Sequence, residues 1–274
     1  MENLPESFYV DPRGASSSNS APQNTARRQA FSAADRAEIQ RLINLLNQPQ
    51  TRADAIAQLN RVYKLNKCMA SHPEARLELI KAQIPTYISP FLNTTEKQLV
   101  QYDYLRLNSL GIIGALLKEE CPQTAEIVHY LLQCEMVPLC LRCMEMGSDL
   151  TKSVAALVLG KILEQQEGKT YCGTFAERFF SVSRALSKMV DEFSGKPPPS
   201  LLKNTLICYL RLSEISRCCD VLKDRYPQRL KNPAYLHHVC DGNTRALAEH
   251  VLQNIMTGQQ VQPMPARTVA SAMR

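Results

Sequence analysis

Ile127-Val128-His129-Tyr130-Leu131-Leu132-Gln133-Cys134 places apolar side chains at 127, 130, 131 and 134, the three-and-four spacing that lines one face of an α-helix. Glu135-Met136-Val137-Pro138 comes next, and a proline in a first helical turn opens a new helix. Working outward, the same period returns at Ile39, Leu42, Ile43 and Leu46, whereas strict alternation over a strand length is hard to find. The chain therefore reads as all-α. Punctuation agrees: Ser32 stands three before Asp35, Ser71-His72-Pro73-Glu74 offers a cap with an early proline and acid, and Pro122 suits a first turn. Pro197-Pro198-Pro199 must separate two helices.

Two recurrences suggest a repeat. Ile84-Pro85 and Val137-Pro138 each open a helix and lie 53 residues apart. Tyr104-Leu105-Arg106-Leu107 returns as Tyr209-Leu210-Arg211-Leu212, 105 residues on, close to twice that interval. A unit of about 50 residues is near the ~40–47 of armadillo and HEAT repeats, whose stacked helix sets bury one continuous core. An armadillo-like superhelix is the expected architecture.

With 274 residues, 45% hydrophobic and 21% charged, the chain can bury a sizeable core. Residues 1–30, with Ala15-Ser16-Ser17-Ser18-Asn19-Ser20 and three prolines, read as a disordered arm, residues 31–257 as the helical domain and 258–274 as a tail. The longest purely apolar or glycine run, Leu110 to Leu117, is far short of the ~20 residues that cross a bilayer. Met1-Glu2-Asn3-Leu4-Pro5-Glu6 lacks a basic start and an apolar stretch, so the chain is expected in the cytoplasm or nucleus, away from membranes. There its ten cysteines should be reduced core residues without disulfides. The net charge of +6 permits nucleic acid or acidic partners without demanding them.

Catalytic chemistry does not assemble. Cys140-x-x-Cys143 is half of a zinc site and lies inside a helical pattern, so buried thiols explain it better. His237-His238 and Cys240 are followed by no further cysteine, and Cys218-Cys219 cannot bridge each other without strain. Gly111-x-x-Gly114 has neither a preceding strand nor a following Lys-Ser/Thr, so it is no phosphate loop. Neither a Gly-x-Ser-x-Gly elbow nor an HExxH helix occurs. No enzyme, metal or cofactor is expected.

Longer motifs carry a resemblance. Pro90-Phe91-Leu92-Asn93-Thr94, Tyr104 through Leu116, Val137 through Leu150 with Lys152-Ser153-Val154-Ala155, Ala70 through Glu74, and Ala176-Glu177-Arg178-Phe179 are similar to the Rcd-one (required for cell differentiation) family. These are the armadillo-type subunits, also called CAF-forty or CNOT-nine, of the eukaryotic CCR-NOT deadenylase complex. The resemblance implies a non-catalytic adaptor that docks on the NOT-one scaffold and recruits proteins directing messenger RNA to deadenylation, decay and translational repression. It adds P-bodies to the expected location. Family members carry several helices where this chain has only Asn60 to Lys67, so the first repeats look shortened. Weak or absent scaffold docking would follow, the alternative reading being an assembly-deficient shortened paralogue; so would a bared apolar side at Leu77, Ile80 and Ile84, with self-association through it, unless the first two helices slide in to cover that side.

The resemblance also assigns sites. Tyr104 and Gly111, two helical turns apart, together with Val154 match the family's groove for a partner helix. By sequence alone, Gly111 more readily reads as an internal packing glycine. Pro138, Leu150, Ser153 and Arg178 match pockets for tryptophan, with Ala176 where animal members place a tyrosine. Independently, Lys203, Arg211, Arg217, Arg225 and Arg229 form a basic stretch that could meet single-stranded nucleic acid, although a solvated helix face is the simpler reading.

Overall fold

The structure, a computed structural model, describes residues 41, 73–95, 100–118, 122–215 and 218–258. Among these the regular structure is helical throughout. The expected arm, nearly all of the tail, the shortened stretch at 60–67 and Arg217 lie outside the described residues.

Helices come in sets of three. The first set is α1 (Pro73–Lys81), α2 (Ile84–Leu92) and α3 (Val100–Leu116). The second is α4 (Thr124–Gln133), α5 (Met136–Met146) and α6 (Asp149–Glu164), and the third α7 (Gln166–Thr174), α8 (Ala176–Asp191) and α9 (Pro199–Ser213). Four shorter or capping elements follow: α10 (Cys219–Arg225), α11 (Gln228–Lys231), α12 (Pro233–Val239) and α13 (Gly242–Thr257). Like packs on like: α1 on α4 and α4 on α7, α2 on α5 and α5 on α8, α3 on α6, α6 on α9, and α9 on α13. That is the armadillo-like stacking expected from the sequence.

The long third helices are the spine. α6 touches α3, α5 and α9, so apolar or small residues occupy nearly its whole circumference: Ala155, Ala156, Val158, Leu159, Ile162 and Leu163 are all buried. Its start is fixed by Ser148, whose Oγ accepts from Thr151 N at 3.4 Å. The turn into each second helix repeats as well. Gln83 (φ 58°) and Glu135 (φ 54°) are left-handed, and their amides donate to Ile80 O and Leu132 O at 2.8 and 3.1 Å. Side chains resist that conformation, so its appearance at both Ile-Pro and Val-Pro junctions marks a true repeat. The third set departs from it, since Phe175 before α8 is extended.

Three expectations need correcting. The Tyr-Leu-Arg-Leu recurrence is out of register: Tyr104 is the fifth residue of α3 and Tyr209 the eleventh of α9, so the two copies point differently. Ile80 and Ile84 are buried and Leu77 packs on the core, so that side is not bare. Pro122 stands ahead of α4, whose N-cap is Gln123, outside the first turn.

Candidate functional site

Two surfaces collect the residues singled out in the sequence. The first runs over α3 and α6. Val100 and Tyr104 are exposed on α3, at 67% and 48%, and Leu150 and Leu157 are exposed on α6 with half-buried Val154 between them. Both rows keep helical spacing, so each is a stripe on one face. Ser148 N donates to Asp103 Oδ1 at 3.0 Å, bringing the start of α6, with Leu150, beside the residue next to Tyr104.

Gly111 decides what the stripe can do. A Cβ built there meets no heavy atom within 4 Å, whereas one on Gly114 would lie 3.8 Å from Val158 Cγ2 of α6. Gly114 is thus the packing glycine and Gly111 the open one. An aromatic ring beside a bare backbone position leaves a low apolar strip against which a helix can lie. Sequence reasoning passed over Val100 and Leu157, although each is one turn from a named residue.

The second surface is a cavity of about 530 Å³ between α5 and α8, closed at one side by Tyr171 of α7. Pro138 and Arg178 both line it, with Val137, Leu141 and Met189. Arg178 is held in place: its guanidinium lies 3.9 Å above the Tyr171 ring and 4.7 Å from that of Phe175, and Nη1 donates to Tyr171 O at 3.3 Å. Leu150 and Ser153 are not in this lining. Leu150 belongs to the α3–α6 face, and Ser153 is buried, its Oγ and carbonyl accepting from Asn204 Nδ2 at 3.2 and 3.0 Å. Ser153 is therefore a packing residue that ties α6 to α9.

The basic stretch does not converge on an open cradle. Arg211 is committed to Glu164 and Glu214 at 2.6 and 2.8 Å, inside a network that also takes in Lys161 and Lys169. Arg229 Nη1 donates to Phe193 O at 2.8 Å and so satisfies backbone just past the end of α8. Burial lowers the Lys203 pKa, disfavouring its charged form. Arg225 lies 4.7 Å from the Phe180 ring. Lys203, Arg211, Arg225 and Arg229 thus serve separate elements.

The thiols of Cys140, Cys143, Cys172 and Cys208 are likewise structural. Burial pushes the Cys143 and Cys172 thiols up to about 12 and also raises Cys140, so none is a ready nucleophile. Cys143 Sγ donates to Leu92 O at 3.6 Å and Cys208 Sγ to Ala156 O at 3.2 Å, both between neighbouring repeats. Among the described residues no group of three or more His, Cys, Asp or Glu could hold a metal ion.

Three-helix sets stacked like on like, with an open strip on the third helices, define an armadillo-type helical-repeat protein. The chain belongs to the Rcd1-like cell differentiation family, whose model matches residues 37–256. It is 38% identical over 220 residues to the cell differentiation protein rcd1 of Schizosaccharomyces pombe, covering 80% of this chain and 76% of that one. It is 41% identical over 191 residues to protein CAF40 of Saccharomyces cerevisiae, covering 69% of this chain and 50% of the yeast protein. A solved engineered protein shares the fold with a TM-score of 0.57 at 14% identity, over 84% of this chain and 83% of its own.

Proposed function

We propose that the chain is a non-catalytic adaptor of the CCR-NOT deadenylase complex, active in cytoplasm and nucleus, that captures peptides of recruiting proteins and so promotes deadenylation, decay and repression of messenger RNA. The observation that carries this is the open Tyr104–Gly111 strip, continued by Leu150, Val154 and Leu157, which matches an amphipathic partner helix. The cavity at Pro138 and Arg178 supports a second anchoring mode, in which an aromatic side chain inserts between apolar walls beside a fixed cation. Family membership supports the assembly; the NOT-one scaffold would join the chain to it, with the weak docking that the shortened first repeats imply.

Titration with a short amphipathic helical peptide tests the strip. Binding should persist as salt is raised, because apolar contact dominates, and Gly111→Trp should abolish it. Steep loss of binding with salt, or tight binding of single-stranded RNA, would instead favour phosphate contacts. Co-purification of the scaffold from a cell extract tests the assembly.

A further inference from the structure

The cavity beside Arg178 does not end along α8. Arg184, Lys188 and Glu192 line it and also line a second hollow of about 520 Å³ that reaches Ser187 and Arg225. Arg184 is thus a shared wall between the two. The charges along this wall differ in whether the chain itself neutralises them. Lys188 pairs with Glu145 at 3.0 Å, and Glu192 with Lys152 at 3.2 Å. The Arg184 side chain is exposed and makes no ion pair or hydrogen bond among the described residues, and that of Arg225 has only the Phe180 ring. With the ion pairs set aside, Arg142, Arg178, Arg184 and Arg225 face only Glu177 and Asp191, which leaves positive charge uncompensated.

We propose that this double hollow reads a two-part signature in a peptide: an aromatic side chain between Pro138 and Tyr171, and an Asp or Glu carboxylate on Arg184 in the adjoining hollow. The inference rests on the adaptor reading and adds the partner's charge to it. A guanidinium can hold a carboxylate through two parallel hydrogen bonds, which fixes orientation as well as charge. Apolar walls on one side and a free cation on the other favour an acidic residue close to the aromatic anchor. The choice of carboxylate over phosphate follows from the charge count of the second hollow: with the paired Lys188 and Glu192 set aside, Arg184 and Arg225 face Asp191, and the single positive charge left over is neutralised by a monoanion and exceeded by a dianion.

The test uses the full chain and short synthetic peptides carrying one Trp and, a few residues away, Asp, Asn or phosphoserine. The chain contains no Trp, so the peptide indole is the sole tryptophan fluorophore. The Asp peptide should bind about 5-fold tighter than the Asn peptide at low salt, the size expected of a partly exposed charge pair. That preference should shrink with added salt and disappear in Arg184→Gln, whose thermal melt should match that of the native chain. Equal binding of Asp and Asn peptides, with both lost in Arg178→Ala, would overturn the acidic signature and leave the aromatic anchor standing. No binding of either would overturn both, and an Arg184-dependent preference for phosphoserine would overturn the choice of carboxylate.

Discussion

Tyr104 and Tyr209 open the same four letters, Tyr-Leu-Arg-Leu, on two helices of the same spine, yet one ring is 48% exposed and the other 0%. Tyr209 stacks edge-on with Tyr226 at 4.9 Å in the core, while Tyr104 stands on the proposed docking strip. Their arginines part as well: Arg106 is buried and donates to Thr94 O at 3.2 Å, and Arg211 sits half-buried between two glutamates. A six-residue difference in helical position rotates the tetrapeptide by about 240°, which turns a surface face into a core face. Local sequence makes the helix, and register within the repeat decides what each side chain does.

Truncation should separate the two tyrosines most widely. Tyr209→Ala is expected to cost ~3–5 kcal/mol in chemical denaturation, and Tyr104→Ala to stay within ~0.5 kcal/mol while weakening peptide capture. Tyr209→Phe refines the contrast. The buried hydroxyl of Tyr209 has no hydrogen-bond partner among the described residues, so its removal should leave stability unchanged or raise it. A clear loss of stability would show that the hydroxyl has a partner after all.

The spine glycines offer the next test. A side chain at Gly160 would press on Ile207 Cγ2, 3.2 Å from the added Cβ, whereas Gly111 opens on empty space. Gly160→Trp should therefore cost at least ~1–3 kcal/mol, and Gly111→Trp should keep the native melting temperature while eliminating helix binding. A large drop in melting temperature for Gly111→Trp would remove Gly111 from the surface. Arg211→Met should fall between these limits, at ~1–2 kcal/mol, because it removes the partner that Glu164 and Glu214 share in a half-buried site and leaves each with one lysine, Lys161 and Lys169.

The smallest effects belong to the carboxy-terminal cap. Asp241 Oδ1 accepts from Thr244 N at 2.7 Å at the start of α13, and this backbone hydrogen bond holds its pKa below the usual carboxylate value. A depressed folded-state pKa means the contribution is present above the unfolded value of about 3.9 and is lost as pH falls through the folded one. Asp241→Ala should cost ~1 kcal/mol at neutral pH and less in acid, read by melts across that window. His250 adds a milder dependence: burial lowers its pKa, so stability should decline as pH drops below about 6.5.

Much of the architecture was legible because helical periodicity and proline openings are local properties. The Ile84-Pro85 and Val137-Pro138 junctions gave the repeat length, and left-handed Gln83 and Glu135 share its turn. The candidate surfaces were less legible. Tyr104 and Gly111 could be paired by counting turns, but nothing local distinguishes Gly111 from Gly114 or Leu150 from Ser153. The basic stretch misled for a related reason, since Glu164 and Val190 to Phe193 are distant in sequence from the arginines they engage.

By itself the sequence determined an all-helical chain, its repeat length and its membership of a family, since spacing, turn chemistry and long motifs are all written in consecutive residues. Tertiary structure alone decided which identical letters face the core, which glycine is open, which arginines are already paired and that two hollows meet at Arg184. Those properties depend on neighbours one repeat away, about 50 residues along the chain, and only the stacking of helices brings them within contact distance.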